Sequence, residues 1–510
     1  MTSDFYVDLY LENTALSDRI AEDIKSSDGI VLRYGISGSG PFDRVAAVGT
    51  LELTLDNSAR NIGGVEGYYS PDHPSRRSNF KVNQKILFLI GSVGLAKAKQ
   101  FWGRISNISP SPGKYNDHGV TITVQDYMAQ LMNHTLKAVP VQIGKRTDQI
   151  VSTIISDIGI SPIGGTYLGV TPDTFAYALD DIEETATAMH AIQRLCQSDG
   201  SFLYVPDYNG ALKLEPRGER ATKSTVDASF DDTMIDLKIL HGEETIYNDI
   251  TVSIARRDVD TTEVVIWSSD GEIELAPMQT LEVTARYVDP ASQAERISLY
   301  PGSGVTPVAD TDFRMSSITS NSGNDLNANL SISVDWYGNT AKITMQNMHA
   351  EKTGYINLLN LRGKGMYQYN KQDARVQDTT SISTYGRRSL QFRLPYQTNL
   401  NVAYDIARSL LSRYKDPHTV ITGIEFVANK NDTLLGYALD LDVSSRVYVK
   451  ETVSGVEGYF YVNSLDYQVD QGKFLRCKLG LVPANTSGVW VLGDPTLSVL
   501  GSTTIPNLFI

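Results

Sequence analysis

Apolar and polar residues alternate with a period of two over much of the chain. Leu51, Leu53 and Leu55 alternate with Glu52 and Thr54. Val120, Ile122 and Val124 alternate with Thr121 and Thr123, and Val447 and Val449 flank Tyr448. This alternation is broken at Asp72-His73-Pro74 and at Pro110-Ser111-Pro112-Gly113, and it predicts half-buried β-strands separated by turns. Tyrosines outnumber phenylalanines 27 to 14, which suits pleated surfaces that are wet on one side.

Helical periodicity is confined to a few short segments. Thr147 can cap a helix whose stripe is Ile150, Val151, Ile154, Ile155 and Ile158, stopped by Gly159. A second is predicted from about Asp181 to Ser198, with Ile182, Ala186, Met189, Ile192 and Leu195 on one face and Gly200 at its end. A third follows Asn401, with Val402, Ile406, Leu410, Leu411 and Tyr414 sharing a face and Pro417 closing it. A fourth, weaker one starts at Asp126 and uses Tyr127, Met128, Leu131 and Met132.

An internal echo sets the expected architecture. Lys85 to Phe88, then Phe101-Trp102-Gly103-Arg104-Ile105-Ser106-Asn107-Ile108, then Val120 to Gln125 form three strand-like runs joined by turns. Downstream, Arg446 to Val449, Tyr459 to Leu465 and Phe474 to Leu481 repeat that order with similar aromatic placement. Any two antiparallel meanders share some of this grammar; a duplicated module explains it more fully. Between the two blocks, residues from about Asp258 to Gln372 are rich in Thr, Ser, Asn and Gly, with strand-like pieces at Leu330 to Trp336 and Ala341 to Met345. They read as an inserted β-sandwich, with Pro301 to Gly323 as a long polar connection on its surface.

The predicted fold class is therefore mainly β (α+β): two related antiparallel β-barrel domains, a small α/β domain and an inserted β-sandwich. The predicted division is a first barrel at 1–138, a helix-containing domain at 139–235 and a second barrel at 236–257 plus 380–490. The inserted sandwich occupies 258–379, and 491–510 form a docking tail.

Composition narrows the function. The 510 residues include 45 Lys plus Arg and 59 Asp plus Glu, a formal net charge of −14. An acidic chain without a basic run is a poor sequence-independent ligand for nucleic acid. With 41% hydrophobic and 20% charged residues, wholesale disorder is excluded. The two cysteines, Cys196 and Cys477, stand far apart among apolar residues and are expected to be buried free thiols. Met1 to Glu12 carries Asp4 and Asp8 rather than a basic start, and the longest apolar run is Ile86 to Ile90. Neither a secretory signal nor a membrane span is expected.

Catalytic constellations are not apparent. The seven histidines are scattered and neither cysteine has a close partner, so no metal site is expected. Gly35-Ile36-Ser37-Gly38-Ser39-Gly40 lacks the Lys-Ser/Thr ending of a phosphate loop and reads as a hairpin loop. No Gly-x-Ser-x-Gly elbow leads from a strand into a helix. Asp180, Asp181, Glu183 and Glu184 are carboxylates at the start of the second predicted helix, where the helix dipole accounts for them; Asp231 and Asp232 form another pair. Asp258, Asp260 and Glu263 lack the glycine and loop length of a calcium site. Trp336 and Tyr337 beside Asp335 could stack on a sugar, but suit a sandwich core better. No catalytic residue, metal or cofactor is predicted.

Several phrases together resemble the baseplate-hub or tail-tip hub proteins of tailed bacteriophages, especially those with long non-contractile tails. They are Arg33-Tyr34-Gly35 with Gly49-Thr50-Leu51, Leu55-Asp56-Asn57-Ser58, Phe101-Trp102-Gly103-Arg104-Ile105 with Pro110 and Gly113, and Asp199-Gly200-Ser201-Phe202. Tyr385-Gly386-Arg387-Arg388, the helix Ala403 to Leu411, Trp490-Val491-Leu492-Gly493 and Leu500-Gly501 complete the set. The resemblance implies a homotrimer at the distal end of the tail tube, in the virion. It implies contacts with the distal tail protein, the tape-measure protein and tail fibres or receptor-binding proteins, and passage of phage DNA through the lumen without specific binding. Two barrels per chain, taken three times, would present six similar modules to a six-fold tube. Trp102, Trp490, Leu497 and Leu500 are the expected interface residues: Trp102 lies in the first meander, Trp490 just before the tail, and the last two in the tail, which is apolar enough to need a partner surface. The competing readings are an adhesin that binds a host glycan or receptor through the inserted sandwich, and a tail-associated hydrolase using Asp181 and Glu184.

Overall fold

The alternating segments come together in one twelve-stranded sheet. The computed structural model describes residues 3–484 except 12–17, 39, 41, 114–116, 137–138, 181, 183–185, 207–208, 289–296, 320–322, 369–370, 418–419 and 471–472. The first half of the sheet is built from β1 (Tyr6–Leu11), β2 (Ile30–Gly35), β3 (Thr50–Asp56), β4 (Lys85–Ser92), β5 (Lys97–Ser111) and β6 (Gly119–Gln125). The second is built from β7 (Ala228–Asp231), β8 (Asp236–Leu240), β9 (Val420–Val427), β10 (Arg446–Glu451), β11 (Val456–Val469) and β12 (Leu475–Pro483).

The two halves have the same topology. The hydrogen-bonded order is β1-β4-β5-β6-β3-β2 in one and β7-β10-β11-β12-β9-β8 in the other. Counted from the start of each unit, both read 1-4-5-6-3-2. Registers agree as well. Lys85 faces Arg104 as Arg446 faces Tyr461, and Ile105 faces Val124 as Val462 faces Leu481. One extra residue bulges from the long fifth strand at the same place, Ser106 in β5 and Asn463 in β11. Bulges at equivalent sites mark a common backbone design better than side-chain type does. The outermost strand departs in direction, since β1 runs antiparallel to β4 whereas β7 runs parallel to β10, and β8 shifts register on β9 between Lys238 and Ile239, which β2 on β3 does not. The duplication expected from the two meanders is present and extends to six strands.

Alternation explains the core. Leu51, Leu53, Leu55, Val120, Ile122 and Val124 point inward in the first unit, and Val447, Val449, Leu465, Leu479 and Leu481 in the second; all are at most 1% exposed. They join one apolar core that runs through both units and takes in the helices beside them. Both cysteines are free and buried in it. Among the described residues the strand pairings branch at β11, whose first half pairs with β10 and whose second half pairs with β2, and no helix is long and apolar enough to cross a membrane.

The helices are α1 (Met128–Asn133), α2 (Thr147–Ile158), α3 (Ala188–Asp199), α4 (Thr379–Tyr385), α5 (Leu400–Tyr414) and α6 (Asp432–Asp440). The segment α2 ends at Gly159 with φ of 70°, as its sequence predicts. The expected start of α3 near Asp181 is corrected: the helix begins at Ala188, with the Thr187 hydroxyl accepting the His190 N–H. Asp180 is not a helix cap; it is buried and holds Arg257 through two hydrogen bonds of 2.6 and 3.1 Å. Asp181, Glu183 and Glu184 lie outside the described residues. The helix α6 escapes the periodicity reading because it has only two and a half turns, yet Leu434, Leu435, Ala438 and Leu439 anchor it in the core.

In chain order, residues 241–419 fall between the second and third strands of the second unit, where the first unit has only the 36–49 link. Three small sheets there enclose a separate core of Ile266, Met315, Ile343, Met345, Ile356 and Leu361. Part of the expected polar connection is corrected: Phe313–Ser316 is a strand paired with Gly354–Gly363, and Met315 is fully buried. A third cluster packs α5 on the strand Asp249–Ile254, which lies between Gln372–Gln377 and Ser389–Arg393.

Candidate assembly interface

The two units meet edge to edge, and the residues of that seam are the candidate site. β2, the last strand of the first unit, pairs antiparallel with the second half of β11, from Ile30 opposite Val469 to Gly35 opposite Ser464. Gly35 ends the seam at φ of 107°, and a side chain there would overlap the Asn463 carbonyl oxygen. Glycine permits that approach, and the Ile36 N–H then donates to the Asn463 carbonyl at 2.7 Å. On the outer face Arg33 reaches Asp466 across the seam at 2.9 Å. Together with Thr50, Ser464 and Lys478 they line a polar groove of about 350 Å³.

A lysine is buried beneath the seam. Lys99 of β5 is 1% exposed and donates to the Leu441 carbonyl and, at 3.3 Å, to the Tyr34 hydroxyl. Its ammonium lies 6.0 Å from the Tyr34 ring and 5.7 Å from the Tyr467 ring. It thereby ties β2, β5 and β11 together through contacts that offset the desolvation of its charge.

A second buried cluster joins the helix-containing region to the second unit. Glu215 is fully buried; it accepts from the Tyr204 hydroxyl at 2.9 Å and the Ser444 hydroxyl at 2.6 Å, with Arg220 at 3.5 Å and Lys223 at 3.9 Å. Burial raises its pKa, but Arg220, Ser444 and Lys223 outweigh it and hold the carboxyl below its ordinary value. Arg220 also donates to the Asn463 side chain at 2.8 Å and lies 3.7 Å from the Phe202 ring centre. The bulge residue Asn463 therefore connects this cluster to the seam.

The described sheet has exposed edges. Among the described residues β8 closes the strand path and pairs only with β9. Ile239 is 38% exposed and Leu240 36%, whereas Ile30 and Leu32 of the equivalent β2 are 1% exposed under β11. The end of β5 from Asn107 onward extends past β4 and is largely exposed.

Trp102 lies in β5, half-buried, its indole N–H donating to Gln100 at 3.0 Å. Its neighbours in this chain include Gly210, where an added Cβ would stand 2.5 Å from the Trp102 Cβ, and Ile163. Trp490, Leu497 and Leu500 lie outside the described residues. Sequence reasoning missed Lys99, Glu215, Arg220 and Asn463. Lys99 carried a usable signal, because period two places it on the inward face with Phe101, Gly103 and Ile105. Glu215 carried none; its partners come from Tyr204, Arg220 and Ser444.

No family model matches the chain, and no curated protein does either. Solved structures do. A 43 kDa tail protein of prophage MuSo2 from Shewanella oneidensis is similar at a TM-score of 0.50 and 12% identity, over 94% of this chain and 99% of that one. The chain has the fold of a phage tail protein. A tail protein from Neisseria meningitidis is similar over 94% of this chain and 96% of its own, at a TM-score of 0.49 and 9% identity. An Escherichia coli component of the type VI secretion system, described as structurally similar to the T4 tail proteins gp27 and gp5, is similar over 94% and 77% at a TM-score of 0.39 and 7% identity.

Proposed function

We propose that this chain is a structural, non-catalytic tail protein of the virion that forms a homotrimeric hub at the distal end of a phage tail tube. The observation that carries the proposal is the internal duplication: two units of identical strand order fused along an edge, in a fold shared with a prophage tail protein. Three copies would offer six similar units to a six-fold tube while the inserted 258–379 region, present once per chain, keeps three-fold symmetry on the other side. Tube-proximal contacts would fall to the distal tail protein, lumenal ones to the tape-measure protein, and peripheral ones to fibres or receptor-binding proteins. A net charge of −14 suits a conduit through which DNA passes during ejection without being held.

Two measurements test it. Light scattering of the purified chain is expected to give three times the monomer mass of 56.1 kDa, and negative-stain class averages are expected to show a ring with six inner lobes and three outer ones. A monomer at all accessible concentrations, or a ring of another order, overturns the proposal.

A further inference from the structure

Among the described residues the internal seam has a counterpart that is open at both sides. β2 corresponds to β8, because Val31 faces Glu52 as Lys238 faces Gly423, and Glu52 faces Thr123 as Gly423 faces Gly480. The part of β11 that receives β2 corresponds to residues 107–112, of which 107–111 belong to β5, because Asp466 faces Lys478 as Ser109 faces Thr121. In the internal seam both edges are covered: Leu32, Leu465 and Tyr467 are each 1% exposed. In the counterpart both edges are exposed. An uncovered edge strand carrying Ile239 and Leu240 is an invitation to strand addition that folded proteins normally blunt or fill.

Resting on the trimeric reading, we infer that subunits join by repeating the internal seam, with the outer edge of β8 in one copy pairing antiparallel with residues 107–111 of β5 in the next. A second copy is the partner that fits, since the chain displays both halves of a junction it already makes once within itself. The equivalences place Lys238 opposite Ser111, as Val31 is opposite Gln468. Ile239 then stands opposite Pro110 and Leu240 opposite Ser109. Pro110 stands at the position of Tyr467 and brings no N–H, so this seam has fewer hydrogen bonds than the internal one. The contact is head-to-tail, and in the trimeric reading it closes into a ring because six such seams, two per chain, complete one turn.

Disulfide trapping of the full chain tests the register. One chain carries Lys238→Cys and another Ser111→Cys; the native Cys196 and Cys477 are buried. Mixed and oxidised, the two are expected to give a covalent dimer on a non-reducing gel that neither gives alone, and the double variant is expected to give a reductant-sensitive ladder up to trimer. Leu240→Asp is expected to weaken assembly at least tenfold by light scattering while the far-ultraviolet circular dichroism is unchanged. A trimer that forms without these cross-links and tolerates Leu240→Asp refutes this seam and leaves the hub reading intact. A chain that stays monomeric refutes both.

Discussion

Asn83 and Ser444 occupy the same turn in the two units, one before β4 and the other before β10, and both are left-handed, with φ of 70° and 74°. Each donates its N–H to the residue before the bulge: Asn83 to the Ile105 carbonyl at 2.8 Å, Ser444 to the Val462 carbonyl at 2.7 Å. The next residue accepts in return, Gln84 from Ile105 at 3.0 Å and Ser445 from Val462 at 2.9 Å. The duplicated object is thus a backbone path, preserved where the side chains have nothing in common.

That shared conformation predicts different outcomes for the same substitution. A left-handed residue with a Cβ costs about 1 kcal/mol relative to glycine. Asn83→Gly is therefore expected to be neutral or stabilising by up to about 1 kcal/mol, and Asn83→Val to destabilise by roughly 1–2 kcal/mol. Ser444→Gly gains the same backbone relief but loses the hydroxyl that donates to buried Glu215, so a net loss is expected. Urea denaturation of the three variants checks the asymmetry; equal effects at 83 and 444 would contradict it.

Gly35 reports on the seam itself. Alanine there meets both the φ of 107° and the Asn463 carbonyl, so the end of β2 must move off β11. Gly35→Ala is expected to cost at least about 2 kcal/mol, from strain plus a broken ladder. Hydrogen exchange is the sharper readout: the amides of Ile36 and of residues 464–469 should lose protection before those of β4 and β6. Uniform loss across the sheet would mean that the seam does not open separately.

Buried Glu215 holds charge that nothing apolar can replace. Glu215→Ala leaves Arg220, Lys223 and the hydroxyls of Tyr204 and Ser444 without their common acceptor. Removing one member of such a buried cluster typically costs about 3–5 kcal/mol. Because its pKa is depressed in the folded state, its contribution is present above the unfolded value and is lost as pH falls through the folded one. Parent and variant are accordingly expected to converge in stability in acid and to differ most near neutrality. A constant difference down to pH 3 would place the cost in packing rather than charge.

Legibility in the sequence followed how local each interaction is. Period-two alternation located the inward faces of β3, β6 and β10, and the aromatic spacing of two meanders exposed the duplication, because both are set within a few residues. Glycine stops at 159 and 200 located the ends of α2 and α3 for the same reason. The start of α3 was misplaced since Asp180 looks like a cap, whereas its partner, Arg257, is 77 residues away. Phe313–Ser316 was hidden in a polar stretch because its strand character comes from pairing with Gly354–Gly363. The fusion of the two units through β2 and β11 joins residues more than 400 apart, and no local pattern encodes it.

Asp126 gives the fold a dependence on pH of the opposite sign to Glu215. It is 4% exposed at the end of β6, where it accepts the Met128 N–H at 3.0 Å. Burial pushes its pKa up to about 7, against hydrogen bonds from Gly49 and Met128 that pull it down. In the unfolded chain an aspartate titrates near 3.9. Between those values the folded state holds a proton that the unfolded state lacks, so stability is full below about pH 4 and is lost as pH rises toward 7. The slope is about 1.4 kcal/mol per pH unit, and the whole effect is at most roughly 4 kcal/mol. Asp199, buried beside the Thr147 hydroxyl and pushed up to about 6, adds to it in the same direction. Asp126→Asn keeps an acceptor for the Met128 N–H and cannot ionise. The variant is expected to gain on the parent steadily from pH 4 to pH 7 and to hold that gain at pH 8, as read from denaturation midpoints at each pH. Parallel curves for parent and variant would show that this carboxyl is ionised in the folded chain throughout.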